Sequence, residues 1–221
     1  MRAIICFLLF LAFPALAEAA ASSTGRSPAP LPFHLLPSSG LAERLLEAEP
    51  GSWVEYVATL EGQPVGSYLR YVHAGRTEEG LWLELWLSSK PGSAATAFRI
   101  LLEADAAGGL HTRRVQQRLL GGKITELELG EETRVAAGGS PRGKLGERWT
   151  TVMTRAGSFR AREISLREAD GPGMRLFLAE ELPLLGIARM DLAGGTGFEL
   201  HAFGRESRLA FGAAESTTPS P

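Results

Sequence analysis

The chain has 221 residues, 44% hydrophobic and 22% charged, with 23 Lys plus Arg against 25 Asp plus Glu and a formal charge of −2. That composition suits a globular protein with one substantial core rather than a disordered chain. A near-neutral balance excludes a general electrostatic nucleic-acid binder, which carries a basic excess.

Met1-Arg2 precedes an apolar run of 11 residues, Ala3 to Phe13, which Pro14 breaks before Ala15-Leu16-Ala17. A positive start, a short apolar core and a small-x-small site predict a secretory signal peptide over 1–17, cut before Glu18. The run is too short to span ~30 Å of hydrocarbon, and no later segment is longer, so no transmembrane segment is expected in the mature chain. The single cysteine, Cys6, lies inside that signal and cannot serve as a lipid acceptor at its cleavage site. A mature chain without thiols has no disulfide and no cysteine-ligated metal. The expected location is therefore periplasmic or secreted. Residues 18–39, rich in Ala, Ser and Pro, predict a flexible leader, and 213–221 a disordered polar tail. One domain is expected over 40–212.

Leu41, Leu45 and Leu46 give one apolar stripe ahead of Pro50-Gly51, which predicts a short helix over 40–48. The period then changes from 3.6 to 2. Strands are expected at 52–60, 65–73, 81–88, 96–103, 112–119 and 123–129, with a four-residue turn at Glu61-Gly62-Gln63-Pro64. A polar, Gly-rich stretch at 130–147 reads as a long loop or a seam. Further strands are expected at 148–154, 159–167, 174–179, 187–192 and 198–203. Strands at hairpin spacing without β-α-β alternation predict a mainly β fold. It is an antiparallel curved sheet or incomplete barrel of about nine to eleven strands, with one short N-terminal helix.

Leu81, Leu83, Leu85 and Leu87 share one face of their strand, and Trp82, Glu84, Trp86 and Ser88 the other. Trp53 and Val57 likewise oppose Val54 and Tyr56. A single sheet with one wet face does not carry apolar groups on both sides. Either the sheet curves and packs on itself, or a hydrophobic groove is lined by Trp53, Trp82 and Trp86, the candidate ligand-binding residues.

The chain has no G-x-S-x-G elbow, no H-E-x-x-H and no phosphate loop, since Gly122-Lys123 and Gly143-Lys144 both lack a following hydroxyl. Gly194-Gly195-x-Gly197 reads as a hairpin turn. His34, His73, His111 and His201 lack metal-ligand spacing and read as surface residues. No catalytic residue, metal ligand or cofactor is nominated. Glu180-Glu181-Leu182-Pro183-Leu184-Leu185-Gly186 is either a partner-binding loop or a corner whose leucines plug the core. Arginines at 113, 114, 118, 155, 160, 162 and 167 alternate with acids and predict cross-strand ion pairs.

Two stretches carry a resemblance. Gly51-Ser52-Trp53-Val54-Glu55-Tyr56 with Leu69-Arg70-Tyr71 resembles the opening of a family of exported bacterial β-sheet proteins. Ala156-Gly157-Ser158-Phe159-Arg160-Ala161-Arg162, the segment from Leu178 to Arg189 and Phe198-Glu199-Leu200 resemble their closing half. The same order of elements is similar to that of periplasmic lipoprotein carriers of the LolA and LolB kind. That similarity implies an incomplete antiparallel barrel with an apolar cavity; the chain departs from it in having one evident helix and no matching functional arginine. The expected function is a non-catalytic envelope protein that binds an apolar ligand such as a lipid or acyl chain, with lipid, lipoprotein or another envelope protein as partner. The alternative is a structural or protein-interaction module of the envelope with no small ligand. A hydrolase assembled from distant residues has no nominated nucleophile.

Overall fold

In the computed structural model the described residues are 41–104, 110–119, 122–127, 144–166 and 173–212. The signal peptide, leader and tail expected from the sequence lie outside them, as does most of 130–147. One helix, α1 (Leu41–Glu47), precedes eleven strands. These are β1 (Trp53–Leu60), β2 (Gln63–Thr77), β3 (Gly80–Ser88), β4 (Thr96–Ala104), β5 (Leu110–Leu119), β6 (Ile124–Leu127), β7 (Lys144–Thr154), β8 (Gly157–Leu166), β9 (Met174–Leu178), β10 (Ile187–Asp191) and β11 (Thr196–Gly204). All pair antiparallel in one sheet, in the order β6-β5-β4-β3-β2-β1-β11-β10-β9-β8-β7. Only the β1–β11 pairing joins distant parts of the sequence; every other neighbour is consecutive. The sheet is curved and unclosed, with β6 and β7 as its edges.

Bulges bend it. Register shifts lie at Glu55/Tyr56, Val57/Thr59, His73/Gly75 and Leu101/Leu102, and each extra residue adds local twist and curvature. At the opposite end the β7–β8 hairpin curls back over the sheet. Its tip docks on β11: the Ala156 amide donates to the Leu200 carbonyl at 3.3 Å, and the Arg155 amide to Glu199 Oε1 at 2.8 Å.

The first hairpin differs from the four-residue turn expected. Only Glu61 (φ 51°) and Gly62 (φ 76°) lie outside the strands, since two consecutive residues with positive φ match the twist of a two-residue hairpin. Pro64 therefore sits within β2. It is tolerated because β3 pairs with β2 only from Tyr68 onward, leaving that end without a neighbour on its second side. Gly194 and Gly195, both at positive φ, turn the chain between β10 and β11 as the hairpin reading requires.

The main core lies on the inner face, where Val54, Tyr56, Leu69, Tyr71, Leu83 and Ile100 are buried. Each such side chain contributes about 1.5–3 kcal/mol through removal of apolar surface from water. The period-2 faces of β3 follow the sequence: Leu81, Leu83 and Leu85 belong to this core, while Trp82 and Trp86 belong to two separate outer clusters. Helix α1 covers the inner face through Leu45, which is fully buried. The corner at 180–186 also closes on that face, burying Leu182, Leu184 and Leu185. Of its two readings, the plug describes how its leucines sit.

Gly80 carries φ 143°, and a Cβ there would collide with the Leu102 carbonyl oxygen on the neighbouring strand. Gly66, at φ 72°, has open space around it. Gly80→Ala is expected to cost about 3 kcal/mol and Gly66→Ala about 1 kcal/mol. Equal costs for the two by urea denaturation would contradict this packing.

Candidate functional site

Trp53, Trp82 and Trp86 are brought to one region of the outer face, spanning β1 and β3. They are not left bare. Residues 205–212 cross the outer face from β1 toward β5 without regular structure, and Leu209, Ala210 and Phe211 pack over the tryptophans. Trp86 packs with Val72 and Ala97, Trp82 with Ala74 and Leu101, and Leu209 joins both groups. The apolar second face noted in the sequence is thus covered by the chain's own C-terminal segment.

Charged groups are interleaved with these rings. Arg70 lies between two tryptophans, its guanidinium 4.0 Å from the Trp53 ring centre and 5.5 Å from that of Trp86. Its Nε donates to Glu55 Oε2 at 3.0 Å, and the same oxygen accepts from the Gly92 amide at 2.8 Å, which ties down the β3–β4 turn. Stacking and charge pairing together fix this guanidinium.

Glu84 is the centre of the arrangement. Its side chain is fully buried, yet five donors converge on it. Oε1 accepts from Arg99 Nη2 at 2.8 Å, Arg99 Nε at 3.3 Å and the Phe211 amide at 3.3 Å. Oε2 accepts from Trp86 Nε1 at 2.9 Å and the Ala210 amide at 2.7 Å. Arg99 lies 5.0 Å from the Phe211 ring centre and donates through Nη2 to the Gly212 carbonyl at 2.6 Å. Arg118 donates to the Ala210 carbonyl, and Trp53 Nε1 to the Glu206 carbonyl at 3.1 Å. The face therefore grips main-chain atoms of an irregular segment, bent at Ala210 and Phe211, with fixed side-chain donors and acceptors.

The inner face holds a separate apolar cleft that is nearly closed, with a free volume of about 20 Å³, lined by Tyr56, Leu69, Tyr71, Leu185, Met190 and Phe198, among others. None of the three tryptophans lines it. The Tyr56 hydroxyl donates to the Ile187 carbonyl at 3.0 Å, and its ring meets that of Tyr71 edge-on at 6.3 Å between centres. Burial pushes both phenols well above their ordinary range, so they remain neutral hydrogen-bonding groups at any physiological pH. Over the cleft, Leu184 is held at φ 56°, a left-handed conformation costly for a leucine. The corner is closed by the Ala179 amide donating to the Gly186 carbonyl at 2.8 Å and by Arg44 of α1 donating to the Ala179 carbonyl at 3.4 Å.

His73 departs from the surface position expected of the histidines. It is fully buried, and neither ring nitrogen has a hydrogen-bond partner of normal geometry. Burial, with the Arg76 charge adding to it and the nearby Glu49 carbonyl opposing it, lowers its pKa from 6.5 to about 4. His111 and His201 are half-buried, and His34 lies outside the described residues. Among the described residues no three His, Cys, Asp or Glu side chains converge on a metal-sized site, and no helix is long and apolar enough to cross a membrane. The ion pairs expected of the strand arginines are present at Arg113–Glu103, Arg114–Glu126, Arg155–Glu199 and Arg162–Glu147. Arg160 instead stacks on Trp149 at 4.8 Å, and Arg167 lies outside the described residues.

No protein-family model matches the sequence, and no curated protein is similar to it. Among solved structures, the chain is similar to a hypothetical protein of Chlamydia trachomatis, with 12% identity, a TM-score of 0.48, and coverage of 80% of this chain and 98% of that one. It is also similar to a chain of the Pseudomonas aeruginosa MucA/MucB complex, with 13% identity and a TM-score of 0.42 over 79% of this chain and 56% of that one. A structure of MucB shows 11% identity and a TM-score of 0.31, covering 80% and 60% respectively. No activity or partner is carried from these proteins to this chain.

Two outcomes follow from the buried charges. Glu84→Ala leaves Arg99 buried without its carboxylate and is expected to cost about 3–5 kcal/mol, with the tryptophans becoming accessible to acrylamide. Little loss of stability with unchanged quenching would contradict the central place given to Glu84. For His73, the folded-state pKa lies below the unfolded value, so the unfolded chain binds the extra proton between pH 6.5 and about 4. Wild type is expected to lose about 3 kcal/mol more than His73→Leu as pH falls through that window. Parallel stability–pH curves for the two proteins would contradict the burial of a neutral imidazole.

Proposed function

We infer that this chain is an exported, non-catalytic envelope protein that holds an apolar ligand, such as an acyl chain, on the inner face of its curved sheet. The observation that carries this reading is the apolar cleft roofed by a strained corner. Tyr56, Leu69, Tyr71 and Phe198 form a floor of rings and aliphatic groups, and Leu185 descends from above. An acyl chain enters this nearly closed cleft only as Leu185 is displaced, and Leu185 belongs to a corner that already holds Leu184 in a left-handed conformation. The lining presents almost no polar demand, which matches a hydrocarbon chain rather than a sugar or nucleotide. The exported setting is supported by the signal layout of residues 1–17.

A protein-interaction module of the envelope is the second reading, favoured by β7. Among the described residues that edge strand has one unpaired side, and it bears the exposed side chains Trp149 (51%) and Met153 (69%). Long edges carrying apolar groups are sites where a second chain can add.

Titration with a long-chain fatty acid by displacement of a fluorescent polyene acid tests the first reading. Leu185→Ala enlarges the cleft and is expected to tighten binding about tenfold, or ~1.4 kcal/mol. Leu69→Trp fills it and is expected to abolish binding in a folded protein. Absence of binding by both wild type and Leu185→Ala, or unchanged binding by Leu69→Trp, would sink the proposal and leave the cleft as packed core.

A further inference from the structure

Segment 205–212 is held in a way that differs from the rest of the chain. Its anchors are side chains of the sheet acting on its main chain: Trp53 on the Glu206 carbonyl, Glu84 on the Ala210 and Phe211 amides, Arg118 on the Ala210 carbonyl and Arg99 on the Gly212 carbonyl. The chain bends at Ala210 and Phe211, which turns two successive amides toward one carboxylate, and any segment with that bend and flanking carbonyls satisfies the same set. Side-chain readout is confined to three positions. Leu209 lies against both outer tryptophan clusters, Ala210 permits close approach, and Phe211 faces the Arg99 guanidinium. Arg205, Glu206 and Arg208 stay exposed.

The segment is absent from the main inner core. The Glu84–Arg99 and Glu55–Arg70 pairs match the groove's charges independently of the segment. Two buried carboxylates, two guanidinium groups and three indoles line the groove that the segment fills. They form a site for a peptide main chain, and one peptide already occupies it.

We propose that this outer-face groove is a docking site for a bent segment of another polypeptide bearing an apolar–small–aromatic triplet. Residues 205–212 occupy it in cis as a built-in competitor. The site is separate from the inner cleft and does not depend on it. A tethered segment competes at a high effective concentration, so a partner binds the wild-type chain weakly and a chain with a weakened segment strongly.

The test uses the full chain carrying Ala210→Pro, which removes the amide that donates to Glu84 Oε2. A fluorescein-labelled peptide of the sequence at 205–212 is titrated by anisotropy, with acrylamide quenching of tryptophan followed in parallel. Ala210→Pro is expected to bare the tryptophans and to bind the peptide at least tenfold more tightly than wild type, with quenching suppressed on binding. The same peptide N-methylated at its Ala and Phe amides is expected to bind at least tenfold more weakly. Failure of the peptide to bind a chain whose tryptophans are uncovered, or equal binding of the N-methylated form, overturns the proposal. If Ala210→Pro does not fold or leaves the tryptophans protected, the double variant Leu209→Ser with Phe211→Ser takes its place. If that variant too is unfolded or protected, the segment is an integral part of the fold and not a displaceable competitor, and the proposal is overturned.

Discussion

A carboxylate inside a protein is costly unless every lone pair is answered, and Glu84 is answered five times over. Those five bonds join the paired strands β3 and β4 to a segment that shares no main-chain pairing with either. Arg99 belongs to the next strand, Trp86 lies two residues along the same strand, and the Ala210 and Phe211 amides belong to a segment more than a hundred residues away. The outer face of the sheet is organised by this requirement. Arg99 is positioned over Phe211 by its bond to Glu84, and the indole of Trp86 is turned by the hydrogen bond its Nε1 makes. The C-terminal segment is drawn across the tryptophans because its amides complete the carboxylate's shell. Glu55 repeats the device on a smaller scale with Arg70 and the Gly92 amide.

The two faces therefore do different work. Inside, burial is nondirectional: leucines, valines and two tyrosines meet α1 and the Leu182–Leu185 corner, and shape alone decides which atoms touch. Outside, burial is directional, since indoles, guanidinium groups and carboxylates have fixed donor and acceptor geometry. A nondirectional face with a strained roof suits a flexible apolar ligand. A directional face that grips amides and carbonyls suits a bent polypeptide segment. The same curved sheet supports both because alternate residues of each strand project to opposite sides.

Much of the architecture is legible along the chain. The alternation from Leu81 to Ser88 marks β3 and also assigns Trp82 and Trp86 to the face opposite the leucines, as found. The stripe of Leu45 and the stop at Pro50-Gly51 locate α1. Turn chemistry is less legible: Glu61 adopts positive φ, which a rule built on Gly and Asn overlooks, so β2 begins two residues earlier than its sequence suggests. His73 shows the limit of single-residue reading. It stands where the pattern changes from strand to polar turn, yet β2 runs on to Thr77 and encloses it.

Local alternation and glycine placement determined about nine to eleven strands, their antiparallel hairpins and the presence of a second apolar face, because those properties depend on neighbours a few residues apart. What covers each face was decided only by the tertiary structure. Glu84 reads in sequence as an ordinary polar residue between two tryptophans, and its burial depends on amides that lie 126 and 127 residues onward. The Leu184–Leu185 corner reads equally as partner loop or plug until α1 and the inner face close around it. In each case the deciding contact is long-range and geometric, and no periodicity along the chain encodes it.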